Sequence, residues 1–419
     1  MSRNGQNSGR GVPPAHAPVT MPLGDRRALR VAYVTVGRAD DVREWSGLNA
    51  AIRTSLVRQG CAVTDVDQLG AHYPATLRIR KRVYETLLGT TYALERSPFA
   101  VSRWSRVATE RVNQLQPVDA VVSPSSLSVA YLDTSAPLAI WADATFHALR
   151  TTYPNYADYS RASIDEGDRA ERAALNRASL ICYASEWAAD DAASYYGISR
   201  QKIRVVPFGA NCDSPFSSES DAATTVAQRD WSIVRLVFVG VDWERKGGDT
   251  AITVVRRLNE MGIKSVLTIV GCRPPLPVEQ LPFVECAGFL SKADERDRER
   301  LDQIFLQSHF LLLPTLAECF GLVFAEASAY ALPSVSRAVG GVPSAVRDGR
   351  TGLLLAEDAD ADAYCAALRP LLHDRDRYAA MCAEAYRDYA SRLNWVTAGA
   401  RFTAELEDTI RAVRGGDGR

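Results

Sequence analysis

Two stretches of the chain carry residue types whose spacing suits work on a phosphorylated, hydroxyl-bearing ligand. The first, AECFGLVFAEA (317–327), sets Glu318 and Glu326 eight positions apart around Cys319, Phe320 and Gly321. In one continuous helix that spacing would leave the carboxylates misaligned by roughly 80°. The segment reads better as a loop over 317–321 and a helix that opens near Leu322. Glu318 would then face a cleft, within reach of sugar hydroxyls. Glu326, a turn into the helix, would accept from the two vicinal hydroxyls of a ribose. Amides around Cys319–Gly321 would point at phosphates between them. A plainer alternative makes Glu326 a favourable early-helix acid and Glu318 a capping partner.

The second stretch is FVGVDWERKGGDTAI (238–252), where an apolar run ends at Gly240 and a helix opens near Gly247–Gly248. Arg245 and Lys246 stand just ahead of that helix. Helix-terminal amides and two cations make an anion site suited to a diphosphate. The alternative is a solvated loop with an incidental basic pair. Two D-x-D sequences, at Asp65–Asp67 and within EDADAD (357–362), sit at a strand end and at a helix start. They read as ordinary surface acids. No Ser/His/Asp or Cys/His constellation is recognisable.

Both stretches need rigid elements behind them. Short β-branched runs at 30–37, 61–67, 118–124, 137–141, 179–185 and 203–209 alternate with helix-length segments. After a polar, Ser/Asp-rich stretch the alternation restarts at 233–240, 265–271, 282–288, 309–315, 332–337 and 351–355. Strands alternating with helices argue for parallel sheets covered on both faces. The expected division is a disordered extension over 1–27, a first α/β domain over 28–213 and a linker without helical period over 214–230. A second α/β domain over 231–393, a helix over 394–413 packing back toward the first domain, and a tail over 414–419 complete it. Ligands bind open α/β sheets at the carboxyl ends of their strands, so two such domains create a cleft.

Bulk properties narrow the classes. Lys+Arg (49) and Asp+Glu (50) nearly cancel, which argues against a nucleic-acid protein held by phosphate neutralisation. Eight scattered cysteines without a C-x-x-C pair suggest buried free thiols in a reducing cytoplasm. No apolar run is long enough to span a bilayer, and the N-terminus lacks the apolar core of a signal peptide. The basic, amphipathic segment LRIRKRVYETLLGTTY (77–92) allows at most a weak peripheral membrane contact, and a solvated surface helix is the plainer reading. No feature sets an oligomeric state.

The second half resembles the donor domain of the retaining glycosyltransferases of family 4, which have the GT-B fold: two doubly wound Rossmann-like domains facing a central cleft. The resemblance runs in order through VVPFGANCD (205–213), FVGVDWERKGG (238–248), LTIVG (267–271), AGFLS (287–291) and LLLPTLAECFGLVFAEASAYALPSVSRAVGGVPSAVRDGRTGLLL (311–355), with its Glu318/Glu326 pair. It implies a nucleoside-diphosphate sugar as donor, a hydroxyl acceptor and no other cofactor. It matches Lys246 to the diphosphate, Glu326 to the ribose and Glu318 to the donor sugar. Gly240, Cys319, Phe320, Gly321 and Leu322 fall in its donor-binding segments, and Ser46–Gly47 match the acceptor-domain turn. Three positions depart from the pattern. Val241 stands where the family has an arginine, with Arg245 four residues on. Within IWADATFHALRTTY (140–153), Asp143 matches the acid of a His-Asp pair but Ala142 replaces the histidine; His147 is either a substitute or an interfacial helix residue. Ser344 replaces an acid. A retaining, metal-independent glycosyltransferase is thus expected, with an epimerase of the same architecture or a non-catalytic nucleotide-sugar binder as alternatives.

Overall fold

A computed structural model describes residues 27–42, 44–70, 72–275 and 281–416. The extension expected at the N-terminus and the last residues of the tail lie outside these, apart from residue 27. Each of the twelve apolar runs contains a strand. The first sheet comprises β1 (Arg30–Val34), β2 (Ala62–Val66), β3 (Ala120–Ser123), β4 (Leu138–Ala142), β5 (Leu180–Tyr183) and β6 (Ile203–Val205), in the order β2-β1-β3-β4-β5-β6. The second comprises β7 (Val234–Val239), β8 (Ser265–Val270), β9 (Val284–Gly288), β10 (Phe310–Leu313), β11 (Ser334–Arg337) and β12 (Gly352–Leu355), in the order β12-β11-β10-β7-β8-β9. All described pairings within both sheets are parallel. Strands β3, β4, β5 and β10 are buried throughout, as continuous apolar runs require.

Strand order reverses between β1 and β3 in one sheet and between β7 and β10 in the other. A ligand crevice opens beyond the strands' carboxyl ends at such a switch point. The segments there hold the residues singled out by chemistry: 44–47 between β1 and β2, 143–145 after β4, 240–247 after β7 and 314–321 after β10.

The stretch 214–230, read as a linker without helical period, contains a helix. Ser218 accepts from the amide of Asp221 and caps the helix Glu219–Ala227, whose Ala222 and Val226 are buried one turn apart. Two apolar positions in a Ser/Asp-rich run are too few to show a period, and packing against the helix Arg375–Ser391 completes the fold. Arg229 then plunges into the second domain, donating to the carbonyls of Tyr330 and Ala331 and to Tyr378 Oη.

The closing helix runs Trp395–Gly416, past the expected end at 413. It returns to the first sheet: Phe402 stacks on Trp141 with ring centroids 4.5 Å apart, and Glu405 pairs with Arg204 at 2.8 Å. By contrast, the helix Ala75–Leu87 buries none of its residues and leaves Ile79, Val83 and Leu87 exposed. No helix among the described residues is long and apolar enough to cross a membrane.

Candidate active site

The turn after β7 depends on glycine at two points. Gly247 caps the helix Gly248–Glu260 at φ 75°, and a Cβ there would lie 2.0 Å from the Pro314 carbonyl oxygen. A Cβ on Gly240 would press on the Lys246 side chain at 2.9 Å. The loops after β7 and β10 therefore touch backbone to backbone, which brings Lys246 against Glu318.

These two side chains, both buried, form an ion pair. Arg245 joins them: its Nη1 lies 3.6 Å from Glu318 Oε2 and donates to the Ala317 carbonyl at 2.8 Å, while Nε donates to Asp242 at 3.1 Å. The guanidinium thus turns to the loop after β10, whereas Val241 is exposed. Glu318 and Glu326 do stand on a loop and a helix: Gly321, φ 80°, caps the helix Leu322–Ala329. Glu326 is buried and pairs with Lys292, which follows β9. Burial works to lower the Lys292 pKa, but the Glu326 carboxylate outweighs it and the net shift is upward. Glu318 holds Lys246 and Arg245 and Glu326 holds Lys292, so the two acids stand in separate charge groups.

The first domain closes on this loop. The Cys319 amide donates to Tyr153 Oη at 3.0 Å, so it is engaged by the opposite domain rather than turned to open space. Tyr153 also lies under Arg245, whose Cζ is 5.2 Å from the ring centroid. Phe320 meets Phe208 edge-on at 5.6 Å. Ser344 Oγ accepts from the Glu186 amide at 3.1 Å, so the hydroxyl that replaces an acid bridges the domains.

Asp143 follows β4 and lines a cavity of about 270 Å³ together with Trp45, Arg96, Ser126, Glu171 and Tyr183. Burial raises its pKa to about 7, helped by the charge of Glu318 and opposed by backbone amides and the Trp45 indole. Trp45 and Ser46 both occupy left-handed backbone conformations, with φ 49° and 56°. The Ser46 carbonyl accepts from Asn211 at 2.7 Å, and Gly47, φ 78°, opens the helix Leu48–Arg58. His147 does not line the cavity. Its Nδ1 lies 2.6 Å from Asp191 and its ring stacks on Tyr195, so the side chain is engaged in packing between helices.

The arrangement joins Lys246 and Arg245 to one buried carboxylate and Lys292 to another, and sets a third acid, Asp143, in a cavity of the first domain. Sequence reasoning missed Lys292, although it follows AGFLS directly, and Tyr153, although it ends the segment that holds Asp143. It also missed Arg96 and Glu171, which no local pattern marks.

Two Rossmann-like lobes with this cleft define the GT-B class of fold. Solved structures share it across nearly the whole chain: sucrose-phosphate synthase from Thermosynechococcus elongatus (TM-score 0.66, 17% identity, covering 92% of this chain and 100% of that one) and a glycosyltransferase from Rickettsia africae (0.61, 13%, 92% and 100%). The Anabaena HepE protein, solved in complex with UDP-glucose, matches with TM-score 0.57 at 16% identity over 91% of this chain and 100% of its own. Residues 234–374 match the glycosyl transferases group 1, and residues 50–214 match glycosyltransferase family 4. The chain belongs to this glycosyltransferase family. D-inositol 3-phosphate glycosyltransferases are among its relatives: that of Corynebacterium kroppenstedtii is 28% identical over 58% of this chain and 56% of its own, and that of Corynebacterium glutamicum 26% over 64% and 66%. The match to the first of these thus spans little more than half of that protein's length.

Proposed function

We propose that the chain transfers a sugar from a nucleoside-diphosphate sugar to an acceptor hydroxyl, with retention of anomeric configuration and without a metal. The observation that carries this reading is the meeting of Lys246, Arg245 and Glu318 at the ends of β7 and β10, with Asp143 electrostatically coupled to Glu318 from the end of β4. UDP-glucose bound to a neighbour of the same fold supports the donor class.

Lys246 and Arg245 neutralise the departing diphosphate, aided by the amides that open the helices at Gly248 and Leu322. Glu326, oriented by Lys292, holds the ribose; Glu318 holds the sugar's hydroxyls, and Cys319, Phe320 and Leu322 shape the loop around them. The bond from the anomeric carbon to the diphosphate oxygen breaks as the bond to the acceptor oxygen forms on the same face. The acceptor's proton leaves on the departing phosphate. Residues 28–213 then serve the acceptor, through Ser46, Gly47 and Asp143, and residues 231–393 serve the donor. Closure of the cleft excludes water that would hydrolyse the donor.

Lys246→Met is expected to lower turnover of a donor panel by about 10²–10³-fold while the fold persists. Undiminished turnover would remove the diphosphate role from this site. Isomerised donor without acceptor would favour the epimerase, and binding without turnover a sensor.

The reaction belongs in the cytoplasm, with a weak peripheral membrane contact through the helix Ala75–Leu87. What supports the contact is the exposed stripe Ile79, Val83 and Leu87 beside Arg78, Lys81 and Arg82, apolar and cationic as an anionic bilayer surface requires. Vesicles containing phosphatidylglycerol should retain the protein at low salt and lose it when Val83→Asp is introduced. Equal retention on neutral vesicles would refute the contact.

A further inference from the structure

The dipeptide Tyr153–Pro154 ends the helix Phe146–Thr152 of the first domain. Proline confines the residue before it to extended backbone, and Tyr153 has φ −100° and ψ 126°. Its amide still donates to the Leu149 carbonyl at 2.9 Å, so the residue stays tied to the helix while its side chain crosses to the second domain. The ring packs into a small apolar cluster with Ala144, Ala148 and Leu149 on its own side and Cys319 on the other. Its hydroxyl accepts from the Cys319 amide at 3.0 Å. Burial, helped by Cys319 and Glu318 and opposed by Arg245, pushes that hydroxyl well above its ordinary range, so it stays neutral.

The face of this ring meets a cation. Arg245 Cζ lies 5.2 Å from the Tyr153 centroid, and the arginine side chain is only 17% exposed. Its Nε donates to Asp242 and its Nη1 to the Ala317 carbonyl, whereas Nη2 has no partner among the described residues. A planar guanidinium stacked on an aromatic face keeps one orientation, and a partly desolvated stack of this kind is worth about three- to tenfold in an equilibrium constant. Lys246 differs: its charge is spent directly on Glu318.

We propose that Tyr153 is a positioning residue for the diphosphate. Its ring, set by Pro154 at the backbone and by the Cys319 amide at the hydroxyl, fixes the guanidinium plane of Arg245 so that Nη2 is presented to the anion. Tyr153 belongs to the first domain and Arg245 to the second, so the cation is aligned only when the domains meet. One contact thereby joins cleft closure to diphosphate recognition. The assignment rests on the glycosyl-transfer reading of the site.

The test measures, by calorimetry on the full chain, the affinities for UDP, GDP and ADP and for the matching monophosphates. One diphosphate is expected to bind at least about tenfold tighter than its monophosphate, the margin that cations on the second phosphate supply. Tyr153→Met, which fills the space without an aromatic face, should cut that margin about three- to tenfold and leave the monophosphate within about twofold. Tyr153→Phe, which keeps the ring, should lose no more than about twofold. In an Arg245→Gln background, Tyr153→Met should change the margin no further, because the tyrosine acts through the arginine. Arg245→Lys, which keeps the charge but has no plane to stack, should lose as much as Tyr153→Met and decides the matter if that variant does not fold.

A tyrosine that only supports the interface would weaken mono- and diphosphate alike, or add its loss to that of Arg245→Gln. Either result overturns the proposal. So does a parent without preference for a diphosphate, a margin unmoved by Tyr153→Met or Arg245→Lys, or a Tyr153→Phe chain as poor as Tyr153→Met. Failure of every diphosphate to bind would instead count against the glycosyl-transfer reading.

Discussion

The two halves of the cleft treat charge in opposite ways. On the donor side the buried acids are already neutralised: Glu318 by Lys246 and Arg245, Glu326 by Lys292. On the acceptor side Asp143 and Glu171 are pushed up to about 7 by burial, and Arg96 and Tyr183 carry unsatisfied atoms. On the proposed reading, a diphosphate would exchange one set of ionic partners for another on the donor side. The first-domain cavity instead keeps polar atoms without a protein partner among the described residues. Such division fits a site whose two substrates must be bound separately and brought together by closure.

The largest expected effect breaks the donor half. Lys246→Met strips Glu318 of its nearest cation, and removal of one partner of a buried ion pair costs about 3–5 kcal/mol, offset in part by Arg245. Adding Glu318→Gln should restore much of that stability and none of the turnover. Chemical denaturation and donor turnover, measured on the same variants, separate the two roles. Recovery of turnover in the double variant would show that the pair is only structural.

A smaller effect sharpens the acceptor half. Free carboxyls titrate near 4 in the unfolded chain, while Asp143 and Glu171 hold their protons to about 7 when folded. Between those values the native state binds more protons, so their contribution to stability is highest in acid and declines as pH rises, levelling above about 7. The Asp143→Asn, Glu171→Gln chain should therefore gain a few degrees of melting temperature on the parent between pH 5 and 7.5. A difference that does not change with pH would place both carboxyls in their ordinary range.

The smallest effect concerns Tyr183→Phe. Because the hydroxyl is buried and unpaired, its loss should leave stability unchanged or raise it by about 1 kcal/mol. A melting temperature lowered by several degrees would mean that the hydroxyl already has a partner.

Much of this frame was legible in advance, for a local reason. Parallel strands are short runs rich in apolar and β-branched residues, and all twelve stand out as such, including the largely exposed β2 and β9. Glycines mark the turns where loops meet, as at Gly247 and Gly321. The helix within the linker was not legible because two buried residues in a Ser/Asp-rich stretch carry no visible period. His147 showed the opposite problem: its type suited the cleft, but its place on the helix Phe146–Thr152 points it to Asp191.

Residue type and local pattern were enough to establish two α/β domains, the loop-helix split of Glu318 and Glu326, and the cationic turn at Lys246. Those are short-range facts, set by periodicity, glycine and the polarity of loops. Three-dimensional packing alone assigned the partners. Lys292 reaches Glu326 from 34 positions away, and Tyr153 meets Cys319 across 166. The first-domain cavity draws Arg96, Asp143, Glu171 and Tyr183 from separate elements of the chain. Pairings at such separations follow from how sheets and helices stack, and no stretch of sequence contains them.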